Sequence, residues 1–206
     1  MFDCDVAVGK PNCPIAQLIN GFLDIVMIHI EEDEYMKMET NITKNLIREL
    51  IFDYIIKKIY LYIFPKEKLY EDEEFYKKAM QISNCLSLND FKIHNENRNL
   101  IQFAIANIKN FDYANSLQEK LNFVQSAYST LNNCFKFNSG KKGKHFGADD
   151  ITPLFHYIVI KAQPERFYSN INFIQIFIDL YNDGSKNFLF GQLKSTYMYV
   201  MNYSFD

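Results

Sequence analysis

The sequence contains no tryptophan, only 7 glycines and 5 prolines, and 4 cysteines that form no C-x-x-C pair. The composition is not that of a disordered chain. Without a C-x-x-C pair, zinc-binding and thioredoxin-like redox patterns lack support. The 206 residues, 48% of them hydrophobic, are instead typical of a globular protein with one large domain or two small packed ones.

Basic residues show no excess, because the net charge is −3 and the pI is about 5.8. Nucleic-acid-binding domains usually have a pI above about 9, so we expect no nucleic-acid partner. The N-terminal stretch MFDCDVAVGKPNCP is acidic, whereas a secretory signal starts with basic residues. We therefore expect a cytoplasmic protein with reduced thiols.

The most apolar early run covers residues 15–30. It is only 16 residues long and contains Asn20, Asp24 and His29. A transmembrane helix needs about 20 predominantly apolar residues. We therefore expect this run to be too short and too polar to span a bilayer.

Apolar residues recur at three- and four-residue intervals along nearly the whole chain, and no convincing alternating pattern of a strand occurs. This periodicity predicts an all-α fold. The longest predicted helix has Thr40 or Asn41 as its N-cap and Pro65 as its stop. Ser116 and Glu119 form a capping box at the start of another helix. The predicted helices cover residues 16–30, 41–64, 73–85, 97–109, 116–135, 149–161, 169–182 and 186–203.

The predicted helices fall into two parts. An N-terminal helical bundle over residues 1–95 is expected to pack on a helical core over residues 96–206, although no linker-like stretch marks the boundary. The acidic run EEDE at residues 31–34 predicts a solvated turn, because blocks of like charge normally face water.

Two features superficially suggest ligand chemistry, and both fail on spacing. A phosphate-binding loop needs a glycine five residues before its Gly-Lys pair and a hydroxyl residue after the lysine. In the run KKGK at residues 141–144, Asn138 and His145 occupy those positions, so we predict no nucleotide binding. His29 and His156 lie in apolar helices with no second ligand at metal-binding spacing, so we expect core or boundary roles and no metal site.

The segment FGADDITPLFHYIVIKAQPERFYSN, residues 146–170, places two acids ahead of a strongly apolar helix. Asp149 can act as an N-cap that accepts free first-turn amides, and Asp150 is favoured there by the helix dipole. Pro153 is tolerated because first-turn amides lack intrahelical partners. On these residues alone the acids are explained as a helix cap, and a functional role stays open.

The wider segment resembles the VPS-nine (vacuolar protein sorting nine) domain family. The family pattern reads Gly-Ala-Asp-(Asp/Glu)-x-x-Pro-x-x-x-Tyr-x-x-x-(Lys/Gln)-Ala-x-Pro, followed by a Ser-Asn pair that opens the next helix. The likeness extends over about residues 97–203 and is weaker over residues 46–95. The matching residues are Gly147, Ala148, Asp149, Asp150, Pro153, Tyr157, Lys161, Ala162, Pro164, Ser169 and Asn170.

The resemblance implies an all-helical guanine nucleotide exchange factor for a Rab GTPase of the Rab-five group, which acts on early endosomes. Such a protein makes and breaks no covalent bond and carries no cofactor. By position, Asp149 is the catalytic acidic finger that disrupts the phosphate and Mg²⁺ site of the GTPase. The implied GTPase contacts are Asp150, Pro153, Phe188, Gly191 and Gln192. The structural residues of the pattern are Gly147, Tyr157, Pro164, Ser169 and Asn170.

No lipid-binding or ubiquitin-binding segment is evident in the sequence. We therefore expect the cytoplasmic protein to reach early endosomes indirectly, through the GTPase itself or another partner.

The stretch FLFGQL, residues 188–193, departs from the family, which commonly reads Tyr-Tyr-Phe-Thr-Asn-Leu. Phe188 replaces a tyrosine and Gly191 replaces a threonine, so two hydroxyls are missing. Each lost hydrogen bond would cost about 1 kcal/mol. A catalytically weak module that binds a Rab or scaffolds an endosomal complex is therefore the alternative. A helical adaptor whose acids only cap a helix is the third reading.

Overall fold

The structure is a computed structural model that describes residues 13–88, 98–138, 148–180 and 183–204, with the backbone alone at 135–138 and 148–150. Within these ranges the chain forms helices and no strand, which confirms the predicted all-α fold. The helices are α1 (Pro14–Glu32), α2 (Glu34–Lys37), α3 (Asn41–Ile63), α4 (Tyr70–Cys85), α5 (Arg98–Tyr113), α6 (Leu117–Asn138), α7 (Ala148–Ala162), α8 (Phe167–Phe177), a short 3-10 turn (Ile178–Leu180) and α9 (Gly184–Met201).

The helix ends follow local capping chemistry. Thr40 caps α3 as predicted, because its hydroxyl accepts the Thr43 amide at 3.3 Å, and α3 ends two residues before Pro65. Ser116 caps α6 by accepting the Glu119 amide at 3.1 Å. The carboxylate of Glu119 lies 2.7 Å from the Lys57 ammonium, which ties α6 to α3.

The acidic run EEDE does not form a simple turn. Its first two residues end α1, and Asp33 caps α2 by accepting the Tyr35 amide at 2.9 Å. The prediction of a turn missed α2 because this helix has only four residues, too few for apolar periodicity to be seen. All four acids are exposed, as predicted.

Helix α1 is longer than the apolar run predicted from the sequence. It has 19 residues and is long and apolar enough, by length and composition, to cross a membrane. The expectation that it is too short was therefore wrong. Core helices of soluble proteins and signal sequences satisfy the same criterion. In the structure α1 packs on α3, where the Arg48 guanidinium contacts Asp24 at 2.8 Å and Asn20 at 2.7 Å.

Helices from both predicted parts share one hydrophobic core. Helix α4 belongs to the predicted bundle, yet its Phe75 is fully buried. The Phe75 ring stacks on Phe167 of α8 at 4.4 Å and on Tyr197 of α9 at 5.8 Å. Helix α4 therefore supports the C-terminal helices directly. The boundary predicted at residue 95 lies outside the described residues, and the division into two parts stays a prediction.

The junction between α7 and α8 is anchored by two acids from distant helices. Asp72 of α4 accepts the Ser169 amide at 2.9 Å and also the Ser169 hydroxyl. Asp112 of α5 accepts the Glu165 amide and the Asn170 side-chain amide, each at 2.7 Å. The Ser-Asn pair that opens α8 is thus held by one buried carboxylate and one partly buried carboxylate. Burial raises the pKa of Asp112, and its backbone hydrogen bonds lower it.

A buried lysine lies beside this junction. Lys120 is fully buried, and its ammonium donates to the carbonyls of Phe111, at 3.3 Å, and Ala114. Burial lowers the Lys120 pKa to about 7, while the Asp112 charge raises it. The ammonium also lies 5.3–5.8 Å from the centres of four aromatic rings, Tyr60, Phe64, Phe111 and Phe173. Ring faces attract a cation at such distances.

Arg166 connects the same junction to the loop after α3. Its guanidinium donates to the carbonyls of Pro65 and Glu67, each at 2.6 Å, and lies 4.7 Å from the Phe64 ring centre. The planar guanidinium can satisfy several acceptors at once. The loops that follow α3 and α7 are therefore fastened together.

We predict that Asp72→Ala lowers the free energy of unfolding by about 3 kcal/mol, because it leaves the partly buried Leu69 amide and the buried donors of Ser169 without an acceptor. Ser169→Ala is the matched control and should cost only about 1 kcal/mol, since it removes a single hydroxyl donor. Urea denaturation measures both values. A cost for Asp72→Ala no larger than that for Ser169→Ala would contradict this anchoring role.

We also predict that stability rises with pH between 7 and 9. The Lys120 pKa is about 7 in the fold and 10.5 ordinarily, so the unfolded chain binds more protons in this range and the free energy of unfolding increases with pH. The expected rise is about 2 kcal/mol. Denaturation at several pH values should show this slope in the wild type and its loss in Lys120→Met. An equal slope in both proteins would assign the effect to other groups.

Candidate functional site

Helix α7 begins at Ala148, one residue earlier than predicted. Asp149 and Asp150 therefore lie inside its first turn, and the prediction of Asp149 as the N-cap residue was wrong. Gly147 lies outside the described residues. Acids in the first turn are favoured by the positive end of the helix dipole, so the position remains suited to negative charge.

Pro153 is exposed on the second turn of α7. The earlier start of the helix moves it beyond the first turn, so the explanation that it replaces a free amide was wrong. Because proline has no N–H, the carbonyl four residues earlier receives no helical hydrogen bond. That carbonyl belongs to Asp149, in the turn that carries both acids.

The rest of α7 is fixed by burial. Leu154, Phe155, Ile158 and Val159 are fully buried, so only a narrow polar side is left toward α9. Fractional exposure is just 6% at Tyr157, and the Tyr157 ring lies beneath the Lys161 ammonium at 5.5 Å.

The other matching residues beyond Pro153 also lie inside the fold. Pro164 is buried, and Ser169 and Asn170 face Asp72 and Asp112. The pattern therefore mixes interior residues with the exposed Pro153.

Helix α9 supplies the second wall. Asp183 caps it by accepting the Ser185 amide at 2.9 Å, and Leu189 and Leu193 turn into the core. Phe188 is 41% exposed and packs edge-on against Tyr128 of α6 at 5.3 Å. Gly191 is exposed, and a Cβ added there would meet open space.

Two polar contacts set the register of α7 against α9. Thr152 donates to the Gln192 side-chain oxygen at 3.0 Å, and one turn further Ser195 lies 3.3 Å from His156 Nε2. Residue numbers rise together on both helices, so the helices run in the same direction. One turn earlier, this register brings the start of α7, with Asp149 and Asp150, level with Phe188.

The structure thus brings four predicted residues to one junction. Pro153, Phe188 and Gly191 flank the line of α7–α9 contacts on the exposed side. Gln192 is buried and joins the two helices through Thr152. Among the described residues, no group of three or more His, Cys, Asp or Glu side chains could hold a metal ion.

Sequence reasoning correctly expected a core or boundary role for His156, but it missed that His156 and Thr152 connect α7 to α9. His156 is half-buried, its ring stacks on Tyr199 at 4.7 Å, and burial lowers its pKa to about 4. The available signal was helical spacing: Thr152 and His156 are four residues apart on α7, and Gln192, Ser195 and Tyr199 share one face of α9.

Comparison with known proteins agrees with this architecture. The family description "Vacuolar sorting protein 9 (VPS9) domain" matches residues 101–205, just over half of the chain. The chain therefore belongs to the VPS9 domain family.

Two curated relatives share the same region. "Receptor-mediated endocytosis protein 6" of Caenorhabditis elegans is 31% identical over 98 residues, and the protein of the same name from Caenorhabditis briggsae is 32% identical over 98 residues. These matches cover 47% of this chain and 9% of each relative's length. The likeness is therefore one of a domain and not of whole proteins.

We predict that Gly191→Ala raises the free energy of unfolding by about 1 kcal/mol, because alanine is the better helix former and the added methyl group meets open space. Gly21→Ala in α1 is the matched control, since Gly21 is also exposed within a helix and unobstructed. Thermal or urea denaturation measures both. Stabilisation by Gly21→Ala together with destabilisation by Gly191→Ala would contradict the open position of Gly191.

Proposed function

We propose that this chain is a guanine nucleotide exchange factor that promotes GDP release from an endosomal Rab GTPase of the Rab-five group. The observation that carries the proposal is the α7–α9 junction of a VPS9-family chain. There the turn bearing Asp149 and Asp150 lies level with the exposed Phe188, next to the exposed Pro153. The protein needs no cofactor for this role, and it acts from the cytoplasm at early endosomes through its GTPase.

Asp149 is the proposed catalytic group, through its negative charge. A GTPase holds GDP with a lysine of its phosphate loop and with Mg²⁺, both of which neutralise phosphate charge. A carboxylate placed among these groups repels the phosphates, offers the lysine another partner and makes the Mg²⁺ site unfavourable. The nucleotide-bound state is raised in free energy while the nucleotide-free complex is held, and that difference in affinity drives release.

The junction between α7 and α9 is the proposed seat for the switch regions of the GTPase. Pro153 and Phe188 offer apolar surface, and Asp150 extends the acidic end of the site. Gln192 is a proposed contact of the GTPase, and it also holds α9 in register with α7 through Thr152. Helix α4 and the junction after α7 support the two helices that form the walls, so we expect these helices to rearrange little when the GTPase binds. Preorganisation of this kind lowers the cost of binding.

We extend the proposal to the two predicted parts of the chain. Residues 96–206 form the catalytic core, and the helices within residues 1–95 brace it through α4.

We predict that Asp149→Asn abolishes acceleration of GDP release while leaving the fold intact. Asparagine keeps the size and shape of the side chain but lacks the charge, so this variant tests the negative charge that the acidic-finger role requires. Release of a fluorescent GDP analogue from a panel of purified endosomal Rab GTPases measures the effect. Asp149→Ala should behave in the same way.

Glu73→Ala is the matched control, because Glu73 is an exposed acid in the first turn of α4. It should leave release unchanged. Wild-type rates retained by Asp149→Asn would refute the acidic-finger role.

A catalytically weak Rab-binding or scaffold module is the second candidate, and Phe188 and Gly191 favour it because each lacks a hydroxyl that the family commonly carries. This candidate predicts a stable complex with a Rab but no faster GDP release by the wild type. The double variant Phe188→Tyr/Gly191→Thr should then gain exchange activity. Absence of binding to every Rab tested would favour an adaptor whose acids only cap α7.

A further inference from the structure

An open, shallow cavity of about 570 Å³ continues the α7–α9 junction toward the C-terminal end of α9. Its lining includes His156 of α7, Ser195, Met198 and Tyr199 of α9, and Tyr203. The Tyr199 ring stacks on His156 at 4.7 Å, and Tyr203 meets Tyr199 edge-on at 5.9 Å. These three rings form a wall that is assembled without a ligand.

Among the described residues, no lysine, arginine, aspartate or glutamate lines the cavity. His156 is its one titratable imidazole, and burial lowers the pKa of His156 to about 4, so the ring is neutral near pH 7. The surface combines ring faces and the thioether of Met198, a residue that is 56% exposed, with the polar groups of Ser195, Asn202 and Ser204. The ring faces suit an uncharged apolar or aromatic side chain.

The cavity lies on the same faces of both helices as the proposed switch contacts. Ser195 and Met198 follow Gly191 by four and seven residues, and His156 follows Pro153 by three, which are the spacings of one helix face. Four residues of helix advance by about 6 Å. A specific interface covers about 800 Å² on each partner, so a protein seated over Pro153 and Gly191 also reaches the cavity.

We propose that this cavity is a specificity subsite for the GTPase seated in the α7–α9 junction, that it takes an uncharged apolar or aromatic side chain of that GTPase, and that His156 and Tyr199 determine which side chain fits. The inference rests on the proposed exchange function. Asp149 lies seven residues before His156, about 10 Å along α7. The subsite therefore selects the partner and leaves displacement of the nucleotide to the acidic end.

The test is a comparison of GDP release kinetics across a panel of endosomal Rab GTPases carrying a fluorescent GDP analogue. Tyr199→Ala removes the ring wall, and Met198→Glu places a charge at a position that is 56% exposed, where we expect little effect on folding. Both should raise KM by about fivefold or more for some GTPases and much less for others, with kcat within about twofold. Tyr199→Phe keeps the ring and should restore wild-type selectivity. Tyr62→Ala, an exposed tyrosine of α3, should change nothing.

The subsite is overturned if Tyr199→Ala and Met198→Glu leave KM unchanged, or alter kcat/KM equally for every GTPase. If the wild type accelerates no GTPase, the exchange function itself fails. Equilibrium Kd values for the nucleotide-free GTPases then test the subsite separately. Weakening by Met198→Glu that differs among GTPases supports it, and equal Kd values or no binding at all reject it.

Discussion

Asp72 lies fully buried where α4 meets the start of α8, and its two oxygens accept hydrogen bonds from the Leu69 amide and from both donors of Ser169. A buried carboxylate is costly unless its acceptors are used, so the three donors must stay in place. Because α7 reaches α8 through a short junction, fixing Ser169 also fixes where α7 ends. The direction of α7, and with it the wall that carries Pro153, depends on this contact.

The residues that match the family pattern divide into two sets by environment. Pro164, Ser169 and Asn170 are buried at the junction after α7, and Tyr157 is buried within α7, whereas Pro153 is exposed. The interior set positions the exposed set. Substitutions in the interior should therefore act through stability and geometry, while substitutions on the exposed side leave the fold intact and act on what the junction binds.

Apolar periodicity was enough to predict the long helices, because their buried faces repeat every three or four residues. Apolar periodicity did not predict the four-residue helix α2 or the helix ends that polar contacts determine. Helix α4 starts three residues earlier than predicted, because the Asp72 carboxylate accepts the Leu69 amide. From composition alone, Asp72 is expected to be an exposed charge.

The buried Lys120 was missed for the same reason, because its partners are backbone carbonyls and ring faces from other parts of the chain. The neighbouring residues in the sequence predicted that Asp149 lies at the start of a helix. They did not predict that this helix start lies at the same height as Phe188 on α9. That relation depends on how far α7 is rotated and shifted against α9. The Thr152–Gln192 contact sets this shift across 40 residues of sequence.

The separation of Asp72 and Ser169 along the chain has a consequence for the order of folding. The two residues are 97 positions apart, and closing a loop of that length costs about 4 kcal/mol of chain entropy. During synthesis at about 5–20 residues per second, α4 emerges roughly 5–20 s before its partner on α8. Helix α4 packs mainly on α7, α8 and α9, so it emerges before its principal partners and with an acid whose hydrogen-bond donors in α8 are not yet present. The α7–α9 junction is accordingly among the last parts of the protein to form.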